Sequence, residues 1–367
     1  MTAQTVSPLP TTGPSLSPSR AADFKTCPLL FRFRTIDKLP EQPSADQVRG
    51  TLVHAVLERL FDLPAAERTP AAAAALVEPS WAALLAAEPE LAGIFAAATA
   101  PPPRRDPAAL LAEADATGQV PGHDPAALLA EADPTGHDPA ALLAEADPTG
   151  HDPATLLAEA DPTGQAALIE VPAPGETARL AAFLGSATAL LDGYFAVEDP
   201  RRLEPAEREA LVSTTVDDTL LIRGYIDRLD VSPDGDLRVV DYKTGGAPRE
   251  AFEGRALFQL KFYALVLWRT RGVVPRVLRL LYLKDAEVCD YSPDADELER
   301  FERTLIALSE AIERAKREQD FRPRPSRLCG WCSHQAHCPE FGGTPPPFPA
   351  DEPVSIDLTP ADDDRLG

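Results

Sequence analysis

Two aspartates and one lysine occur on neighbouring strand-like runs of the sequence. Asp227 lies within the run Leu220 to Val231, Asp241 lies within a second run, Leu237 to Tyr242, and Lys243 directly follows that run. Ionised carboxylates are costly to bury among apolar strand residues, so such a pair is typical of a divalent-metal site. A bound ion polarises a phosphate and lowers the pKa of its water, which a nearby lysine can orient or deprotonate. The trio favours phosphodiester hydrolysis, and ordinary ion pairs with neighbouring arginines are the alternative.

The same pattern predicts the elements that position these residues. The turn Ser232-Pro233-Asp234-Gly235 predicts a hairpin that sets Asp227 beside Asp241. The predicted order of elements, helices first and then three strands, a helix and a strand, favours a mixed α/β fold with a central sheet flanked by helices. Beside the hairpin we predict strands at Leu211 to Val216 and Val277 to Leu283, and helices at Ser17 to Cys27, Ser44 to Leu63, Glu176 to Phe195, Arg255 to Thr270 and Asp294 to Gln319.

Three polar residues on the predicted helices could serve the same site. His54 lies at the edge of an apolar stripe, with Gly50 one turn earlier leaving room for a substrate to approach the imidazole. Gln259 and Tyr263 are four residues apart and therefore share one helix face. Taken singly, a packed helix histidine and an ordinary polar pair explain these residues as well.

The cysteines form a second group able to do chemistry. Five cysteines in 367 residues are too few for a disulfide scaffold, and four of them are spaced as metal ligands. The spacing alone also fits a zinc knuckle with a histidine from the same segment. Cys289 stands apart, and a buried apolar role is expected for it. The four spaced cysteines are Cys27, Cys329, Cys332 and Cys338, and the alternative zinc ligands are His334 and His337.

The order of these residues resembles one branch of a nuclease superfamily. The motifs are Gly50-x-x-x-His54, Gly224-Tyr-Ile-Asp227-Arg228, Asp241-Tyr-Lys243 and Gln259-x-x-x-Tyr263. In this order they resemble the RecB-like branch of the PD-(D/E)XK superfamily. The resemblance implies a restriction-endonuclease-like fold and a Mg²⁺ or Mn²⁺ ion held by His54, Asp227, Asp241 and the Tyr242 carbonyl. It also implies that Lys243 acts on the attacking water and that Gln259 and Tyr263 contact substrate near the scissile phosphate.

The cysteine pattern extends the resemblance to iron-sulfur nucleases of that branch. One N-terminal cysteine with a C-terminal trio is similar to the AddB-type helicase-nuclease subunit and to the CRISPR adaptation nucleases. By that resemblance Cys27, Cys329, Cys332 and Cys338 hold a [4Fe-4S] cluster, with zinc as the alternative. Such a cluster would join the N-terminal helical region to the C-terminus, two segments about 300 residues apart, and would reduce the loop-closure entropy of the chain.

Charge and composition divide the chain. The net charge is −23, which argues against a nucleic-acid partner, but much of it lies in 14-residue repeats between His123 and Gly164 and in the tail after Asp351. Basic residues cluster beside the cysteines instead. We expect a disordered N-terminus (1–14), a nuclease domain (15–342) interrupted by an Ala/Pro-rich insertion (101–175), and an acidic disordered tail (343–367).

Together these features favour a metal-dependent DNA nuclease, a single-strand exonuclease of DNA repair or recombination. Trp331 or Phe321 would stack on bases. The sequence contains no phosphate-binding Gly-x-x-x-x-Gly-Lys-Ser/Thr motif, so a helicase would act in trans. No apolar run of about 18 residues and no signal peptide are recognised, which predicts a cytoplasmic protein without a membrane partner. The alternatives are a non-catalytic iron-sulfur DNA-binding subunit and an adaptation-type nuclease that trims DNA ends, and RNA is a further possible substrate.

Overall fold

The computed structural model of the chain describes residues 13–95, 174–247 and 253–349. The 14-residue repeats, nearly all of the N-terminal segment and the acidic end of the tail lie outside these described residues, as do the predictions made for them.

The centre of the fold is a six-stranded mixed sheet. Its strands are β1 (Ser15–Leu16), β2 (Glu207–Val216), β3 (Leu220–Val231), β4 (Leu237–Lys243), β5 (Val277–Tyr282) and β6 (Glu287–Tyr291). The pairs β2–β3, β3–β4 and β5–β6 are antiparallel, whereas β1–β3 and β4–β5 are parallel. The predicted hairpin is confirmed, because Val231 pairs with Leu237 and Arg228 with Val240.

Helices cover the sheet in two layers, as predicted. They are α1 (Pro18–Thr26), α2 (Pro28–Phe31), α3 (Ala45–Leu60), α4 (Pro70–Ala87), α5 (Pro174–Val197), α6 (Glu253–Arg271) and α7 (Ala295–Glu318). One apolar core joins α1, α2, α6 and α7 to the sheet, and a second joins α3, α4 and α5 to it. Short 3₁₀ turns connect these elements, and three of them lie near the C-terminus, at Arg327–Trp331, Gln335–His337 and Pro339–Phe341.

Local sequence signals explain where the site-bearing helices begin. The Ser44 side chain accepts a hydrogen bond from the Gln47 amide while the Gln47 side chain returns one, which forms a capping box at the start of α3. Ser17 caps α1, with Pro18 as the first helical residue. The apolar stripe predicted for α3 is buried along its length, so this helix lies with a fixed face against the sheet.

Two differences from the predicted strands come from long-range pairing. Strand β2 begins at Glu207, earlier than predicted, because its first residues pair with the end of β3 around Leu229. The short strand β1 has no signal of its own and exists through parallel pairing with Leu221 and Ile222. Neither contact is encoded in local periodicity.

Two helices are apolar enough to pass a composition test for a membrane span. They are Pro70–Ala87 and Gly175–Val197, with mean hydropathy 1.3 and 1.5 over an 18-residue window. The prediction that the chain contains no such run is therefore wrong on composition. In the fold, Trp81 of the first helix and Phe183 of the second pack together within the α3, α4 and α5 core, and 22% and 28% of the two windows are buried.

Candidate active site

The candidate site lies where β3 and β4 separate. The last pair between these antiparallel strands is Arg228 with Val240, and the next position would set Asp227 opposite Asp241. There the Asp227 carboxylate accepts a hydrogen bond from the Tyr242 amide, at 2.7 Å, in place of a backbone ladder bond. Side chains of α3 and α6 reach β4 at this point, His54 at the Tyr242 carbonyl and Gln259 at the Lys243 amine.

His54 on α3 points its two ring nitrogens at different partners. Nε2 lies 2.9 Å from the Tyr242 carbonyl, and because a carbonyl only accepts, Nε2 carries a proton. Nδ1 lies 3.5 Å from both Asp227 Oδ2 and Glu209 Oε1. Burial alone would lower the pKa of His54, but the two carboxylates outweigh it and raise that pKa to about 9. An ion bound among these groups would compete with the Nδ1 proton.

Glu209 was not found by the sequence analysis. It lies on β2 directly opposite Asp227, between the pairs Arg208–Arg228 and Ala210–Ile226, and its own pairing is missing. Its φ of 42° falls in the left-handed region that residues with a side chain rarely adopt. The ligand atoms of His54, Glu209 and Asp227 all lie within 4.8 Å of one another. One imidazole nitrogen with two carboxylates fits a divalent cation such as Mg²⁺ or Mn²⁺.

Asp241 and Lys243 lie next to this group on β4. Asp241 Oδ2 is 3.0 Å from Lys243 Nζ, and the aspartate side chain is only 2% exposed. Burial raises the pKa of Asp241 to about 6, although the Lys243 charge opposes the shift. The Tyr242 hydroxyl points to the other face of the sheet, where it accepts a hydrogen bond from buried Arg228. Of the groups on β4, the Tyr242 carbonyl faces His54 and the Asp241 carboxylate faces Lys243.

Gln259 and Tyr263 of α6 lie behind the lysine. Lys243 Nζ donates to Gln259 Oε1 at 2.8 Å, and Gln259 Nε2 donates to the Tyr263 hydroxyl at 2.9 Å. Tyr263 is 2% exposed, so its ring lies within the core. That they contact substrate stays a prediction. On the opposite side, a Cβ at Gly50 would lie 3.2 Å from Thr244 Oγ1, so this glycine lets α3 lie close to the chain leaving β4.

The four spaced cysteines come from both ends of the described chain and lie near one another. Burial raises the pKa of Cys338 to about 11, and the neighbouring Cys27 and Cys332 thiols add to that effect. Cys332 in turn interacts with Cys329 and Cys27. Backbone amides donate to two of the sulfurs. The Arg324 amide nitrogen lies 3.4 Å from Cys27 Sγ, and the Ser326 amide nitrogen lies 3.3 Å from Cys329 Sγ. Cys289 lies on β6, away from the group.

The histidines and aromatic residues near the cysteines have distinct surroundings. His334 is buried, with Nε2 against the Glu41 carboxylate and its ring 5.3 Å from that of Phe33. Phe321 is also buried and stacks on Phe31, so the prediction that it stacks on bases is wrong. Trp331, between Cys329 and Cys332, is 74% exposed.

Two comparisons with known proteins give partial matches. A 56-residue stretch is 50% identical to the Gene 69 protein of Mycobacterium phage D29, and the match covers 15% of this chain and 18% of the phage protein. Among solved structures, the crystal structure of SSO0001 aligns with a TM-score of 0.30 and 20% identity, over 43% of this chain and 70% of that one.

The family comparison covers most of the chain. The family model described as "PD-(D/E)XK nuclease superfamily" matches residues 15–114 and 123–339, and these ranges include every residue of the candidate site. Members of this superfamily are nucleases that use divalent metal ions, and the His54, Glu209 and Asp227 donor set could hold such an ion. The chain belongs to the PD-(D/E)XK nuclease superfamily.

Proposed function

We propose that the chain is a deoxyribonuclease of the RecB-like branch that degrades single-stranded DNA ends as an exonuclease in repair or recombination. The observation that carries the proposal is the convergence of His54, Glu209 and Asp227 beside the Asp241–Lys243 pair. Metal donors and a positioned amine are the two parts that hydrolysis of a phosphodiester needs.

The residues of the site divide the work of hydrolysis. A divalent ion held by His54, Asp227 and Asp241, with Glu209 beside them, would polarise the phosphate and lower the pKa of water. Asp241 shares its carboxylate with Lys243 and so keeps the amine at the edge of the ion site. The Lys243 amine would orient the attacking water and hold or pass its proton.

The cysteines are proposed to hold a [4Fe-4S] cluster through four thiolates, from Cys27, Cys329, Cys332 and Cys338. Two features support a four-thiolate site, and a third argues against a zinc site that uses His334. The thiols come from segments about 300 residues apart in the sequence. Backbone amides point at the sulfurs of Cys27 and Cys329, and such hydrogen bonds are common at metal-bound thiolates. His334 has its partner in Glu41, which makes it a poor zinc ligand in this arrangement.

The surface between the lysine and the cysteines favours single-stranded DNA. Phe258 precedes Gln259 on α6, and the Lys25 ammonium lies 4.2 Å from the centre of the Phe258 ring. The Arg324 guanidinium donates to the Lys25 carbonyl at 2.6 Å, and exposed Trp331 follows on the cysteine segment. Cationic groups with an exposed aromatic ring bind a single strand through its phosphates and bases. If duplex must be opened, a helicase partner would do so, in the cytoplasm.

The proposal is tested with end-labelled DNA and protein purified without oxygen. Single- and double-stranded DNA are digested with Mg²⁺ or Mn²⁺, and labels at either end report polarity. Replacing Lys243 with alanine should lower the cleavage rate by about 100- to 10,000-fold. The matched control is Lys284→Ala, which removes an exposed lysine just beyond β5.

Two outcomes would overturn parts of the proposal. Equal degradation by wild type and Lys243→Ala rejects this active site and favours a non-catalytic DNA-binding subunit. A [4Fe-4S] cluster contains iron and acid-labile sulfide in equal amounts. A colourless preparation that contains zinc and lacks iron and sulfide rejects the iron-sulfur cluster. Preferential cleavage of RNA or of internal positions rejects the single-strand DNA exonuclease assignment.

A further inference from the structure

The Lys243 amine has a second acceptor besides Asp241. Its Nζ lies 3.0 Å from Asp241 Oδ2 and 2.8 Å from Gln259 Oε1, and the lysine side chain is 18% exposed. The two acceptors differ in kind. Asp241 is a carboxylate on β4, next to the donors of the ion site. Gln259 is a neutral amide on helix α6.

The orientation of the Gln259 amide follows from its partners. An ammonium only donates, so the amide oxygen must face Lys243. The amide nitrogen then faces the Tyr263 hydroxyl, which lies 2.9 Å away and accepts its hydrogen bond. A flipped amide would set its NH₂ group against the lysine amine and lose the hydrogen bond from Lys243, whereas the tyrosine hydroxyl could donate to the amide oxygen instead. Lys243 therefore sets the orientation of the amide, and the Tyr263 hydroxyl holds Gln259 in place by accepting from its Nε2.

Tyr263 is itself fixed by a close approach of two elements. Its ring lies against Gly224 of β3, where an added Cβ would be 2.6 Å from the ring carbon Cε1. Glycine at this position is therefore what lets α6 lie this close to the sheet. The tyrosine is 2% exposed and packs among the core residues around it. A continuous set of contacts thus runs from Gly224 through Tyr263 and Gln259 to Lys243.

A neutral anchor has a specific use in this site. When Asp241 binds an ion, its carboxylate has less charge to offer the lysine, and the ion itself repels the ammonium. A hydrogen bond from the amine to an uncharged amide oxygen is not weakened in the same way. Because small misplacements of a reacting group lower rates strongly, an anchor of this kind preserves the catalytic position of the amine.

We propose that Gln259 is a positioning residue for Lys243, that Tyr263 acts through Gln259, and that neither residue needs to touch DNA. The proposal rests on the nuclease function and assigns the Gln-x-x-x-Tyr pair to the lysine. A contact between this pair and the scissile phosphate is the competing assignment, and the two differ in their effects on DNA binding.

Steady-state kinetics and DNA binding separate the two assignments. Replacing Gln259 with methionine, which keeps the length of the side chain but loses the acceptor, should lower kcat by about 10- to 100-fold. KM, and the Kd for a labelled single strand measured with Ca²⁺, should stay within about threefold because substrate contacts are unchanged. Gln259→Glu keeps an acceptor and should recover most of the rate, and Tyr263→Phe should lower kcat by only about threefold.

A matched control and a double variant complete the design. Lys261 lies on α6 like Gln259, and its Nζ is 2.7 Å from the Glu297 carboxylate on α7. Lys261→Met removes this ion pair and should leave kcat unchanged. In a Lys243→Ala background, Gln259→Met should cause no further loss, because residues that act through one another are not additive. A tenfold rise in Kd with unchanged kcat, or a further loss in that background, overturns the proposal.

One readout is independent of cleavage. Reductive methylation of Lys243, followed by peptide mass spectrometry with Lys284 as the internal reference, should be at least about threefold faster in Gln259→Met, because the amine loses an acceptor. An unchanged labelling rate overturns the proposal. If the wild-type protein cleaves no DNA, the nuclease function fails, and the labelling result still decides whether Gln259 holds the amine.

Discussion

The two groups of potential metal ligands in this chain are held in different ways. The candidate active site is built on β2, β3 and β4, where Asp241 and Arg228 are almost fully buried and backbone ladders fix the positions of the side chains. The cysteine clamp, defined as Cys27 with the segment Ser326–Phe341, is built from three 3₁₀ turns that contain no buried residue of their own.

Polar links join the clamp to the rest of the fold, beside the packing of Cys27 and Cys338 against the core and of the His334 ring against Phe33. Arg34 bonds both Asp23 and Glu41 at 2.8 Å, and Glu41 continues to buried His334. Arg324 adds a bond to the Lys25 carbonyl. A sheet orders its side chains through many cooperative contacts, whereas the clamp has fewer contacts and none of its three turns has a buried residue. The active site should therefore form without the cluster, and the clamp should not.

The largest test of this contrast is loss of one cluster thiol. Cys329→Ser should abolish iron binding and lower the free energy of unfolding by about 4 kcal/mol, since a closure between distant segments is lost. In thermal unfolding this corresponds to roughly 10 °C. Mn²⁺ binding at His54 and Asp227, measured by calorimetry on the same variant, should stay within about threefold, because the sheet keeps its own order.

Cys289→Ser is the matched control, since this cysteine lies on β6 and outside the clamp. It should change neither iron content nor unfolding temperature by a comparable amount. If Cys329→Ser leaves the melting temperature unchanged, the clamp is stable without its cluster. If Cys329→Ser removes Mn²⁺ binding as well as iron, the two regions are coupled and the contrast between them fails.

A smaller test acts on the polar links. Burial opposes ionisation of Glu41, but hydrogen bonds from His334 and Arg34 outweigh it and hold the pKa of Glu41 at about 2. Because the folded pKa lies below the unfolded value of 4.5, this stabilisation is complete above pH 4.5 and is lost as the pH falls through 2. Glu41→Gln should lower the free energy of unfolding at pH 7 by roughly 2–3 kcal/mol.

Urea denaturation across pH measures this difference. Between pH 7 and pH 5 the gap between wild type and Glu41→Gln should be constant, and at pH 3.5 it should shrink by about 1.4 kcal/mol. Glu340→Gln, which changes an exposed carboxylate on the last turn of the same clamp, should show no comparable gap. A gap that does not change with pH would mean that the link does not depend on the charge of Glu41.

Much of the fold could be predicted because its signals are local. The turn between β3 and β4 and the caps at Ser17, Ser44 and Asp294 set element boundaries that the structure reproduces. The order of the motifs then identified the superfamily. The sequence could not show that Gln259 bonds Lys243, because that contact joins two layers whose packing is set by Gly224 and Tyr263.

Glu209 shows the limit of sequence analysis most clearly. The sequence analysis leaves it outside the predicted strand, which begins at Leu211, and only the pairing of β2 with β3 brings it opposite Asp227. Its left-handed φ of 42° is also set by tertiary structure. Strained backbone is retained where the surrounding structure enforces it, and it concentrates at functional sites. No single-sequence pattern marks such a position.

The smallest expected effect is that of removing the Glu209 charge. Glu209→Gln should weaken Mn²⁺ binding about tenfold by calorimetry, since one of the three donors within 4.8 Å loses its charge while His54 and Asp227 remain. The matched control is Glu207→Gln on the same strand, where the carboxylate pairs with Arg271. Weakened binding in both variants would indicate a general charge effect, and unchanged binding in both would leave Glu209 outside the ion site. A selective loss would show that β2, which no motif marks, completes a site otherwise carried by β3, β4 and α3.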